Sequence, residues 1–130
     1  MSQLTTFSDE DYLPTESMIE TVVHAFYGKV RNDDLLAPIF GPRLDGRWDD
    51  HLATMVDFWS SILLVSGRYR GQPLTIHGRL GKITPEMWSR WLALFAETAR
   101  EHCPEPVARM FIERSQQIAA HLAKQLARAS

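Results

Sequence analysis

With a single cysteine, Cys103, among its 130 residues, the chain can close no internal disulfide. A lone thiol fits a reducing compartment, and the cytoplasm is the expected location. Five histidines are present, but no HxxxH, HExxH or CxxC spacing accompanies them, so a zinc site of ordinary pattern has no support. GxGxxG is missing as well, so a flavin or nicotinamide enzyme would have to draw its electrons from a separate protein. The basic residues form no long run and the net charge is −2, which argues against a nucleic-acid partner. No apolar stretch approaches the length of a membrane span, and no membrane partner is expected. The opening MSQLTTFSDEDYLP lacks the basic-then-apolar layout of a secretory signal. No segment alternates apolar and polar residues as a half-buried strand does.

What is present is helical periodicity and aromatic bulk. A chain this long supports one domain with a real core. Residues 1–14 are expected to be a loose leader, and 15–130 the domain. Thr15 reads as an N-cap, followed by Ile19, Val22, Val23, Phe26, Tyr27 and Val30 at three- and four-residue steps. Leu35 to Phe40 reads as a single turn, broken by Gly41 and Pro42. A long helix is expected from Trp48 to Val65, its inward stripe carrying Trp48, His51, Leu52, Met55, Phe58, Trp59 and Ile62. Thr84-Pro85-Glu86 is a helix start in three letters: cap, proline at the first position, acid in the first turn. That helix carries Trp88, Trp91 and Phe95 and ends at Cys103-Pro104; a last one starts near Pro106. The predicted fold class is all-α.

Residues 67–83, GRYRGQPLTIHGRLGKI, do not fit this pattern. The stretch is glycine-rich and has no period, and seventeen residues of weak structure inside a compact domain call for a reason. His77 lies within it. A loop histidine is ordinarily a surface residue; the alternative is that a metal bond through His77 orders the segment. His51 is on an apolar stripe, where a histidine is ordinarily a core residue bonded to a carbonyl or hydroxyl. The alternative is that the helix faces a cavity. Two distant histidines around an aromatic-rich interior suit haem iron better than zinc, since one axial histidine suffices to hold a haem. Tyr27 needs a partner for its hydroxyl if buried, and the indole of Trp91 can only donate. His24, His102 and His121 are given no role.

Four pieces together resemble the truncated haemoglobins, and within them the third group. They are FYGKVRNDDLLAPIF (26–40), WDDHLATMVDFWSSILL (48–64), GRYRGQPLTIH (67–77) and ITPEMWSRWLALFAET (83–98), in the family's order and spacing. The paired glycines usual in the first two groups are missing. The resemblance implies a two-over-two helical sandwich around haem b. It makes His77 the proximal iron ligand, His51 the distal histidine and a possible sixth ligand, Tyr27 the distal tyrosine and Trp91 the distal indole donor. It places Phe40 against the porphyrin, Met55 and Phe58 on the distal wall, and Trp88 on the helix of Trp91. Gly78 departs from the family, whose members often carry an apolar residue after the proximal histidine.

The implied function is reversible binding of O₂, NO or a related small ligand, with hydrogen bonds from Tyr27, Trp91 and His51. A redox enzyme is the alternative, acting on peroxide or NO with an unidentified reductase and with His51 moving protons. A cofactor-free helical interaction module is the third reading.

Overall fold

The computed structural model describes residues 13–68 and 83–129. Among them the regular elements are helices: α1 Glu16–Arg31, α2 Ala37–Leu44, α3 Trp48–Leu63, α4 Pro85–His102 and α5 Glu105–Ala129. Two layers result. α1 packs on α3, α4 packs on α5, and α1 joins the layers by lying on α4. None of the described helices is long and apolar enough to cross a membrane.

The helix starts follow from local chemistry. Thr15 Oγ1 accepts from the Met18 amide at 3.1 Å and Thr84 Oγ1 from the Met87 amide at 3.2 Å. Each satisfies a donor that the first turn leaves without a helical partner, a contribution of about 1 kcal/mol. Pro85 occupies the first turn of α4, where its missing N–H costs nothing.

α2 corrects the sequence reading. It runs eight residues, straight through Gly41 and Pro42, where a single broken turn was expected. Two things sustain it. Asp33 Oδ2 accepts from the amides of Leu35 and Leu36 at 3.0 Å each, which winds the chain before the helix begins. Leu36 and Phe40 are then buried in the core, and that burial outweighs the proline's missing hydrogen bond. α3 ends at Leu63, two residues before the expected Val65. Val65 and Gly67 both take positive φ, 56° and 73°, so the chain reverses there. Arg68 fastens this exit: its Nη1 donates to Glu16 Oε2 at 2.8 Å and its Nε to Asp57 Oδ1 at 2.9 Å.

The layers are joined by aromatic rings. Trp59 of α3 stacks on Phe95 of α4 at 5.0 Å, and Phe95 stacks on Trp91 at 5.9 Å. Phe26 of α1 meets Phe95 edge-on at 5.0 Å. Such pairs contribute about 0.5–1.5 kcal/mol each beyond the area they bury. At the surface, Lys29 bridges Glu97 and Glu101 at 2.6 and 2.7 Å. These exposed pairs are worth tenths of a kcal/mol to about 1.

Asp33 carries more. Besides holding the start of α2, its Oδ1 accepts from Arg90 Nη1 at 2.7 Å, tying that turn to α4. Burial alone would raise its pKa, but the Arg90 guanidinium and the Leu35 and Leu36 amides prevail and hold the carboxyl below its ordinary value. Because the folded pKa is depressed, the stabilisation is present above the unfolded value of about 4 and is lost as pH falls through the folded one. Asp33→Ala is expected to cost about 1–2 kcal/mol in urea unfolding at neutral pH. The gap between parent and variant should close below pH ~4. A variant that unfolds at the parent's midpoint would show that this turn is held by apolar burial alone.

Candidate functional site

Adjacent residues on α1 face different ways. Phe26 is turned to α4, edge-on to Trp91 at 5.5 Å. Tyr27, one step of about 100° further round, is turned to α2 and α3. Its ring lies 6.5 Å from Phe40, 6.1 Å from Trp48 and 4.8 Å from His51, the last nearly perpendicular at 86°. Tyr27 is only 4% exposed. Burial raises the pKa of its phenol well above the ordinary value, so the hydroxyl stays protonated and able to donate. His51 is half-buried, and its Nε2 is closed off from solvent.

Met55 is buried one turn beyond His51, and Phe58 follows. With Tyr27 and Trp91 these two line an internal cavity of about 20 Å³, walled otherwise by apolar side chains such as Val23 and Ile118. A void that size holds one small molecule. A second cavity of about 10 Å³ is lined by Phe40, Trp88 and Trp91 among others. Trp91 is therefore a wall of both. Outside them, between α3 and α5, a groove of about 280 Å³ is lined by Phe58, Ile62, Ile118 and Leu122, with Gln117 and His121 beside them.

Seven of the eight residues singled out from the sequence fall into this one region. Tyr27, Phe40 and His51 meet through their rings; Tyr27, Met55, Phe58 and Trp91 share one cavity; Phe40, Trp88 and Trp91 share the next. The eighth, His77, lies outside the described residues, as do Gly78 and most of the irregular stretch. His24 and His102 are exposed. Sequence reasoning placed Trp48 on the inward stripe of α3 but gave no site role to it, to Ile118 or to Arg31. Trp48 is three residues before His51 on the same stripe, and Arg31 four after Tyr27, so helical spacing held the signal. Ile118 was one apolar residue among many on α5.

The arrangement fits a flat, largely apolar cofactor. Phe58 and Ile62 on α3 remain half-buried beside the groove, so the described helices leave apolar surface there. The polar groups are few: Tyr27 with His51 against it on the inner side, and Gln117 and His121 beside the groove. That is the composition of a cofactor pocket: apolar walls with a small number of placed donors.

No family model matches the chain. Its fold superposes on the crystal structure of group III truncated hemoglobin from Campylobacter jejuni with a TM-score of 0.81 and 34% identity, covering 87% of this chain and 91% of that one. The molecule is a truncated globin. In sequence it is 35% identical over 114 residues to group 3 truncated hemoglobin ctb of Campylobacter jejuni subsp. jejuni, a match that spans 85% of this chain and 90% of the relative. The chain belongs to the group 3 truncated haemoglobins, a membership that implies a haem cofactor and a small gaseous ligand.

Proposed function

We propose that the protein holds haem b through His77 and reversibly binds O₂, NO or a related diatomic ligand in the chamber lined by Tyr27, Met55 and Trp91, with His51 set against Tyr27. One observation supports this most: a buried tyrosine that keeps its proton, set against a histidine, on a cavity that it shares with an indole. When bound, haem supplies an iron with one coordination position open to such a ligand. The remaining work belongs to the chain. Tyr27 O–H and Trp91 N–H donate to the electronegative end of a ligand in the cavity, and as fixed donors in an apolar site they need little reorganisation. Phe40 and Trp88, which share the smaller cavity, would pack against the cofactor, and Phe58 would add to the apolar wall beside Met55. His51 would add a third hydrogen bond or serve as a second holder of the iron.

Haem titrated into the purified chain is expected to give a strong Soret band that saturates at one haem per chain. A chain that stays colourless would leave the cofactor-free helical module as the better reading.

A second reading is favoured by the same contact. Tyr27, which lines the cavity, and His51, whose ring centre lies 4.8 Å from that of Tyr27, are two proton-bearing groups side by side. A histidine can take a proton from peroxide and return it to the leaving oxygen. Reduction would come from a separate protein, and the cytoplasm would be the setting. His51→Leu is expected to slow peroxide consumption by about 10²-fold or more, the range for loss of a general acid–base group, while haem retention is little changed. Unchanged peroxide kinetics would leave the protein a ligand binder.

A further inference from the structure

Behind Tyr27, which walls the cavity, one half-buried ring reaches toward solvent. Trp48 opens α3, half-buried, with its ring 6.1 Å from Tyr27 and 6.2 Å from His51. It touches both proton-bearing groups of the site on its inner side. On its outer side the guanidinium of Arg31 lies over the indole, 4.6 Å from the ring centroid. Arg31 is exposed, and among the described residues no carboxylate lies within ion-pair distance of it. Holding a long arginine in one place costs side-chain entropy, and the indole is the group it is held against. Both residues are placed by spacing: Arg31 is one turn after Tyr27 on α1, and Trp48 one turn before His51 on α3.

We propose that Trp48 is the door of the ligand chamber and that Arg31 is its latch: small ligands enter and leave past the Trp48 indole, and the cation–π contact with Arg31 keeps that indole closed over Tyr27 and His51. Both are positioning residues, since neither touches the ligand. The inference rests on the reading of the Tyr27–His51 chamber as the ligand site. A door has a kinetic signature that a ligand contact lacks. It stands equally in the way of entry and exit, so opening it speeds both and leaves affinity where it was. Removing a donor to the bound ligand speeds exit alone.

The experiment uses the haem-loaded protein and carbon monoxide as the probe. Association is read after flash photolysis and dissociation by ligand replacement, for the parent, Arg31→Ala, Arg31→Lys, Trp48→Phe and Trp48→Ala. Arg31→Ala is expected to raise both rates about two- to fivefold, the span that a cation–π contact at a solvent edge supports. Arg31→Lys should recover part of this. Trp48→Ala should raise both rates about tenfold or more, past the loss of a single cation–π contact, and Trp48→Phe less, with the dissociation constant unchanged throughout. A second readout is independent of ligand exchange. In the diamagnetic carbon monoxide form, the Trp48 indole N–H should exchange with solvent about two- to fivefold faster in Arg31→Ala than in the parent. Rates that match the parent's in both alanine variants overturn the door and leave the haem reading standing. A rise in dissociation alone overturns it too, because it would make Trp48 a ligand contact. A parent chain that takes up no haem removes both readings together.

Discussion

His77→Ala is expected to abolish stable haem retention: the purified variant should lack the Soret band, or lose it on passage over a desalting column. The argument starts from composition. Residues 67–83 have no apolar period and are rich in glycine, so their sequence lacks the burial signal that α1 and α4 carry. If a bond from His77 to iron supplies that order, removing the imidazole loses two things at once, the ligand and the segment that carries it. Binding to the folded chain and ordering of the segment are then the same free energy. Added imidazole should restore part of the absorption, because it replaces the ligand without the chain. Full retention in His77→Ala would assign the iron to another residue, His51 first. Hydrogen exchange gives an independent view: protection across 67–83 should be greater with haem than without it, and equal protection would dissociate the segment's order from the cofactor.

The second large effect is expected in O₂ release. Tyr27→Phe and Trp91→Phe each remove one donor and keep the ring. Phe at position 27 can still meet His51 and Phe26 edge-on, and Phe at 91 can still stack on Phe95, whose ring is 5.9 Å away and nearly parallel. The packing loss is therefore small and the change is mainly in hydrogen bonding. A neutral hydrogen bond contributes about 1 kcal/mol net, and about 1.4 kcal/mol is tenfold in rate. Each variant should release O₂ about fivefold faster and the double variant about thirtyfold faster, more if the apolar chamber strengthens the bonds. Association should change little, in contrast to the Trp48 variants. The burial that raises the Tyr27 pKa keeps its donor in place through neutral and mildly alkaline pH, so the fold-change on Tyr27→Phe should be the same across that range. Release rates equal to the parent's in the double variant would mean that Tyr27 and Trp91 do not donate to the ligand.

Release slowed in this way would suit a sensor, a scavenger or a redox catalyst better than a carrier. It also bears on His51. If that ring takes the sixth position in the ferrous state, ligands must displace it, and the Trp48 door would hold it close to the iron.

Much of the molecule was legible in its residues alone, and the reason is locality. Thr15 and Thr84 announce helix starts because a cap needs only a hydroxyl and an amide three residues on, and both bonds are present. The inward stripe of α3 and the termination of α4 at Cys103-Pro104 are legible on the same ground: period and breaker act within a few residues. The histidine, tyrosine and indole proposed for the site were singled out by comparing whole patterns, since each residue alone has an ordinary structural reading. α2 was misread for the converse reason. Pro42 weakens a helix by local rules, but Leu36 and Phe40 are buried by contacts from distant parts of the chain, and the Asp33 carboxylate is held by Arg90 far away in sequence. The meeting of Tyr27 with His51, the position of Arg31 over Trp48, and the sharing of two cavities by Trp91 were decided by tertiary structure alone. Helical period states which face of a helix is apolar. Which face of another helix it meets is set only when α1, α3 and α4 pack, because that choice is made by burying rings from all three against one another.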